Sequence, residues 1–221
     1  MIMEKYLILK LQGGMQAWGT HTFEDYRPSS VFPTRSGIVG LLGACLGIDR
    51  DDIEAREKLN AGFSLTVRAD KRRYRMQRIT DYHTVLEARK VDGSPRKDAI
   101  LSPREYLCDA SFTVALAFRP GSHYNLEQIK KSLVKPYFTP ALGRKSCPLY
   151  RPLFEMVVEA TDVVSALEKV PPGKGILYSE TKLTGSAPLR MRDVPIPTLV
   201  RQFATREVYI LGEEEFYAVS Q

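Results

Sequence analysis

Tyr6-Leu-Ile-Leu-Lys-Leu11, then Met15-Gln-Ala-Trp-Gly19, then Phe32-Pro-Thr-Arg-Ser-Gly37-Ile-Val-Gly-Leu-Leu-Gly-Ala-Cys-Leu-Gly47 reads as a strand, a glycine-flanked loop holding the single Trp, and a helix beginning near Ser36. Thr34 or Ser36 is placed to accept from the first free N–H groups of that helix. Arg35 stands beside them, so a positive dipole end and a guanidinium converge where a phosphate would be held. The helix is apolar on nearly every side, which marks it as buried. Its Gly37, Gly40 and Gly43 each cost about 1 kcal/mol relative to Ala in a helix interior. Such a cost implies close approach of another backbone, protein or nucleic acid. The alternative is a tightly packed, ordinarily capped helix against a sheet. Neither G-x-x-x-x-G-K-S/T nor G-x-G-x-x-G occurs in the chain, which argues against nucleotide hydrolysis.

The chain has 221 residues, enough for one large domain or two small ones. Its 43% hydrophobic and 26% charged content is that of an ordinary globular protein. No apolar run approaches the roughly 18 residues that span a bilayer, and Met1-Ile-Met-Glu-Lys5 has no signal-peptide pattern. A cytoplasmic location with no membrane partner is therefore expected. Cys45, Cys108 and Cys147 are odd in number and far apart, implying neither a disulfide framework nor a zinc site. Net charge is +6, unevenly spread: Lys130 to Arg151 holds six basic residues and no acidic one. Arg68 to Arg78 holds six basic residues against Asp70 alone, and Arg190, Arg192, Arg201 and Arg206 form a third group. Acid gathers at Asp49 to Glu57 and Glu213 to Glu215. Segregation of this kind suggests a polyanion-binding face, with basic solvated loops as the alternative.

Along the chain, Tyr6 to Leu11 is a first strand, followed by the buried helix and a second helix from about Asp51 to Asn60. Phe63 to Ala69 alternates as a strand, and Arg75 to Asp81 is expected to pair with it. Glu87 to Pro103 is poor in core residues and carries Asp92-Gly93, a turn signal, so it reads as a protruding hairpin-like arm. Tyr106 to Phe118 reads as one strand and Asn125 to Val134 as a helix with Asn125 as cap. The order strand, helix, strand, then strand, helix, strand predicts a ferredoxin-like α+β unit over residues 1–150. A smaller β-rich unit follows over 151–221, with a strand at Phe154 to Ala160, a short helix at Val163 to Lys169 and a last strand near Val208 to Leu211.

No catalytic constellation stands out. His83, with a nearby Lys or Tyr, is a candidate general base for attack by an RNA 2′-hydroxyl, but no metal-ligand spacing or nucleophile motif accompanies it. Binding is the better-supported chemistry. Tyr74, Tyr82, Tyr106, Tyr137, Phe138 and Tyr150 are interleaved with basic segments, the pairing that holds single-stranded RNA by stacking and phosphate contacts. For these tyrosines the alternative is half-buried packing on strands. Leu142-Gly-Arg-Lys-Ser-Cys-Pro148 concentrates a glycine, two cations and a hydroxyl in one loop.

Seven blocks together resemble one family. They are Met15-Gln-Ala-Trp-Gly19, Phe32-Pro-Thr-Arg-Ser-Gly37, Leu41-Leu-Gly-Ala-Cys-Leu-Gly47, Asp81-Tyr-His-Thr-Val-Leu86, Arg104-Glu-Tyr-Leu-Cys-Asp-Ala-Ser-Phe112, Leu142-Gly-Arg-Lys-Ser-Cys-Pro-Leu149 and Arg201-Gln-Phe-Ala204. In this order they resemble the RAMP-superfamily subunits of the type I-E CRISPR Cascade complex that hold the 5′ handle of CRISPR RNA (crRNA). The resemblance implies a ferredoxin-like (RRM-related) palm and a thumb at about 87–103. It also implies a non-catalytic role capping the complex and supporting assembly and target-DNA recognition in antiviral defence. The implied partners are the crRNA, the CasC backbone subunit and the large CasA subunit, with CasB and CasE in the same complex and no cofactor. RNA contacts are then expected from Gln16, Trp18, Arg35 and Ser36, and at the thumb base from Tyr82, His83 and Arg89. Arg104, Tyr106, Arg144, Lys145, Ser146, Arg201, Gln202 and Arg206 complete the set. The superfamily's glycine-rich loop is reduced here to Gly143. The competing readings are a metal-independent endoribonuclease acting on repeat RNA and an RRM-like RNA-binding protein working alone.

Overall fold

The computed structural model describes residues 3–20, 25–71, 76–90, 92–196 and 202–212. It is a mixed α/β fold, mostly antiparallel sheet with few helices. In chain order the elements begin with β1 (Glu4–Gln12), β2 (Met15–Gln16), β3 (Trp18–Gly19), β4 (Ser29–Ser30), α1 (Arg35–Leu46), α2 (Ile53–Ala61) and β5 (Phe63–Asp70). They continue with β6 (Gln77–Val85), β7 (Ile100–Cys108), β8 (Ser111–Phe118), α3 (Leu126–Val134), β9 (Phe154–Ala160), α4 (Val163–Glu168), β10 (Gly175–Ser179), β11 (Ala187–Pro195) and β12 (Phe203–Leu211).

Seven strands form the main sheet in the order β11-β12-β10-β5-β8-β1-β9, every neighbouring pair antiparallel. Strand alternation divides β1 between two cores. Leu7, Leu9 and Leu11 face α1 and α3 together with Val67, Phe112 and Val114. Tyr6 and Ile8 face the other side, where Ala166 and Leu167 of α4 cover them. Residues 151–212 thus add β9 to one edge of the sheet and β10, β12 and β11 to the other.

The helix caps follow local chemistry. Thr34 takes the N-cap of α1 and accepts from Gly37 N at 3.3 Å, while Gly47 ends the helix at φ 78°. Asn125 and Gln128 form a reciprocal capping box on α3. Of the three helix glycines, only Gly37 is closely approached, and by a ring rather than a backbone: a Cβ there would lie 2.7 Å from Trp18 Cε3. Gly40 faces open space and Gly43 meets only ordinary contacts.

Three strand expectations are corrected. β6 pairs with β7, not with β5, whose two edges are taken by β8 and β10. The stretch from Tyr106 to Phe118 is two strands, because Asp109 adopts φ 51° and turns the chain from the β2-β7-β6 sheet into the main one. The Glu87 to Pro103 stretch supplies the tip and part of the second strand of a longer β6–β7 hairpin. At its tip Ser94 N donates to Asp92 Oδ1 at 2.9 Å, and most of β6 is exposed.

On the α4 side of the sheet lies a buried ionic cluster. Asp70 accepts from Lys10 Nζ at 2.9 Å, Arg68 Nε at 2.7 Å, Ser111 Oγ at 2.9 Å and Thr113 Oγ1 at 2.7 Å. Arg68 also donates to the Leu167 and Val170 carbonyls, fastening the segment after α4 to the sheet. Burial holds the Lys10 ammonium below its ordinary pKa, and the Asp70 carboxylate opposes that shift. Arg68 therefore leaves the polyanion-facing set suggested by its sequence cluster; Arg72, Arg73 and Arg75 lie outside the described residues. Asp70→Asn strands two buried cations, and urea denaturation is expected to show a loss of about 3–5 kcal/mol. A loss under about 1 kcal/mol would mean that the cations do not depend on Asp70.

Candidate nucleic-acid interface

The basic loop owes its shape to one glycine. Leu142 N donates to Cys147 O at 2.8 Å and Cys147 N to Arg144 O at 2.9 Å, closing the loop on itself. Ala17 N donates to Leu142 O at 3.0 Å, which anchors it to the segment after β2. Gly143 sits at φ 89°, and a Cβ there would lie 1.7 Å from Ala17 O, so no other residue fits this conformation. Leu142 and Cys147 point into the core, and burial raises the Cys147 thiol pKa. Lys145 and Ser146 remain exposed.

Arg144 turns back onto the protein. Its guanidinium lies 4.7 Å from the Tyr106 ring centroid and donates to Glu105 O and Arg27 O, both at 3.2 Å. It remains half-buried, so part of its charge stays at the surface. Tyr106 is only 2% exposed and belongs to the core. It cannot stack on a base and instead supports Arg144 from beneath.

Beside this loop a groove of about 230 Å³ opens between the start of α1, the Trp18–Thr20 segment and the β11–β12 hairpin. Ser36, Gly37, Thr20, Gly143, Arg192 and Phe203 line it. Arg192 is exposed and donates from Nε to Phe203 O at 2.8 Å. The groove's walls are tied by a network of four charges. Asp193 Oδ2 accepts Arg35 N at 2.7 Å, and Arg206 grips the same carboxylate with Nε at 2.6 Å and Nη2 at 2.7 Å. Glu180 accepts from Arg206 Nη1 at 3.1 Å and from Arg35 Nη1.

This geometry corrects four expected RNA contacts. The Arg35 side chain is 7% exposed, bound to Glu180 and Asn60, and stacked 4.9 Å from the Phe63 ring. The anion at the start of α1 is the protein's own Asp193. Arg206 is likewise committed to Asp193 and Glu180. Trp18 is fully buried, with Nε1 donating to Gln16 Oε1 at 3.1 Å; Gln16 in turn donates to Ala110 O at 2.9 Å. All four side chains are committed to partners within the protein, and Trp18 forms part of the groove's floor.

The remaining candidates divide by location. Ser36 lines the groove, and exposed Gln202 accepts at its carbonyl from Ile196 N at 3.0 Å. Arg201 lies outside the described residues. On the hairpin Tyr82 is 63% exposed, and Arg89 is exposed at the tip in a bridge with Pro95. His83 Nε2 lies 3.1 Å from Tyr106 Oη and 3.0 Å from Asp81 Oδ2. Arg104 pairs with the Arg27 segment, and its Nε is buried with no hydrogen-bond partner among the described residues. Also among the described residues, no three His, Cys, Asp or Glu side chains come together as a metal site, and no helix is long and apolar enough to cross a membrane. Phe203 as a lining residue was missed by the sequence reading, as were Asp193 and Glu180 as fasteners. Their partners lie up to 158 positions away and leave no local signal.

Residues 6–209 match the family model described as CRISPR-associated protein (Cas_Cas5). Over 216 residues the chain is 48% identical to the CRISPR system Cascade subunit CasD of Escherichia coli (strain K12), covering 95% of this chain and 96% of that protein. Among solved structures, a chain of a CRISPR RNA-guided surveillance complex superposes with TM-score 0.71 at 26% identity, covering 93% of this chain and 89% of its own. A crystal structure of a Cas protein superposes with TM-score 0.66 at 30% identity and 93% coverage of both.

The loop geometry has a direct consequence for stability. Gly143→Ala combines a left-handed backbone with a clash against Ala17 O, and is expected to destabilise by at least about 1–2 kcal/mol in chemical denaturation. Lys145→Ala, two residues on and exposed, should stay within about 0.5 kcal/mol of the parent. Equal stability of the two variants would contradict the described loop conformation.

Proposed function

The chain belongs to the Cas5 family of CRISPR-associated proteins, and from that premise we propose that it serves as the CasD-type subunit of a Cascade surveillance complex. In this reading it holds the repeat-derived 5′ handle of crRNA, caps the complex and supports its assembly and target-DNA recognition. The observation that carries the proposal is the 48% identity to CasD over 95% of this chain. Residues 1–150 would form the ferredoxin-like palm with the β6–β7 hairpin as thumb, and residues 151–221 a β-rich addition. The strand order β9-β1-β8-β5, with α1 and α3 on one face, supports a ferredoxin-like unit and extends it past residue 150, because β9 (Phe154–Ala160) is its fourth strand.

RNA would follow the exposed cations. Lys145, Arg192 and the surface part of Arg144 are placed to neutralise phosphates, and Ser36 and Ser146 offer hydroxyls to them or to ribose. Tyr82 and Arg89 extend the contact onto the hairpin, and exposed Gln202, beside the groove-lining Phe203, adds an amide. Arg104, half-buried on β7 opposite the Arg27 segment, is a candidate contact at the hairpin base. CasC and CasA would be its direct protein neighbours, with CasB and CasE in the same assembly.

The role we assign is binding without cleavage. His83 touches Tyr106 and Asp81, but Tyr106 is buried and held under Arg144, so the phenol beside His83 has no open face toward a ribose. Handle-RNA titrations over a range of salt test the assignment. Lys145→Ala and Arg192→Ala should each lower the slope of log K against log salt by about 0.7, with repeat RNA left uncut with or without EDTA. Unchanged slopes would remove the loop and groove from the interface. Cleavage abolished by His83→Ala would establish the endoribonuclease alternative.

A further inference from the structure

Tyr150 is not among the handle contacts assigned above, yet its setting is built for contact. The residue is 72% exposed, and its hydroxyl has no hydrogen-bond partner among the described residues. Its backbone is nevertheless fixed: Tyr150 N donates to Gln12 O at 2.9 Å, tying it to the end of β1. The hydroxyl end of the ring rests on Gly14, where a Cβ would lie 2.1 Å from Tyr150 Oη and 3.0 Å from Cζ. Gly13 is closed to a side chain by the same segment, since its Cβ would lie 2.6 Å from Pro148 O. The two glycines together form a flat shelf that seats the 148–150 segment and leaves the ring facing solvent.

A large aromatic ring held in place with most of its surface wet is a stacking platform more readily than a packing residue. Its neighbours favour a polyanion over an apolar protein surface. The ring follows the loop that exposes Lys145 and Ser146, within a stretch from Lys130 to Arg151 that carries six basic residues and no acidic one. Asp109 N–H donates to Gly14 O at 3.0 Å, so one acidic residue also borders the shelf.

We infer that Tyr150 is a base-stacking residue: its ring, seated on the Gly13–Gly14 shelf, carries one unpaired nucleobase of the handle on its solvent-facing side, next to the phosphate that Lys145 neutralises. This rests on the handle-binding reading and adds to it a contact that carries no charge. A stacked base contributes affinity without releasing counterions, so its signature differs from that of the cations.

The full-length chain is titrated with handle RNAs carrying 2-aminopurine at successive positions. Wild type and Tyr150→Phe should quench the probe at one position, and Tyr150→Ala should lose that quenching. Tyr150→Ala should also weaken binding about tenfold while the salt slope stays at the wild-type value. Thermal melting checks that both variants are folded, as an exposed ring requires little of the core. Equal quenching by wild type and Tyr150→Ala overturns the assignment and leaves handle binding standing. Tyr150-dependent quenching of an unrelated single strand, with none of the handle, supports stacking and contradicts the handle reading. Intact RNA binding by Tyr150→Ala with failed assembly of the co-expressed complex overturns stacking in favour of a protein contact.

Discussion

Asp193 ties the fold to the site. Its side chain is 2% exposed, and it accepts the first N–H of α1 and two N–H groups of Arg206. A carboxylate is tolerated there because three donors and the positive end of a helix surround it. Glu180 repeats the arrangement between Arg206 and Arg35, so the start of α1 cannot shift without moving the β11–β12 hairpin. The spacing of the groove's two walls follows from this. Removing one member of such a buried network leaves a stranded charge, at a cost of about 3–5 kcal/mol.

The same network sorts the cations of a basic protein. Net charge of +6 suggests a polyanion partner, but the charges do two jobs. Lys10, Arg35, Arg68 and Arg206 are consumed by buried carboxylates and carbonyls. Lys145, Arg89 and Arg192 are left at the surface, with Arg144 held halfway by its stacking on Tyr106. A nucleic acid following the exposed set would pass the basic loop and the groove mouth, then turn toward the hairpin. On the α4 face Lys10 and Arg68 are instead neutralised by Asp70.

Elements governed by neighbours in sequence were legible in advance. The strand from Tyr6, the Thr34 start of α1, the Asn125 cap and the Asp92-Gly93 turn all follow from local hydrogen bonding and periodicity. Strand partners were not legible, since β6 carries too little apolar alternation to say which strand it meets. The β10–β11 region was hidden by its prolines and glycines, and Asp109 broke a strand whose composition gave no warning. The basic loop stood out as a candidate because glycine, cations and a hydroxyl are contiguous there. Arg35 and Trp18 were misread for one reason: the groups that engage them, Glu180 and Gly37, are decided by tertiary folding.

The central claim is that handle RNA lies across the basic loop and the groove beside α1. Photo-crosslinking of the purified chain to a handle RNA substituted with 4-thiouracil, read out by peptide mass spectrometry, tests it most directly. The account predicts crosslinks within residues 142–150 and on the β11–β12 hairpin around Arg192 and Phe203. Crosslinks confined to the α4 face of the sheet would contradict it.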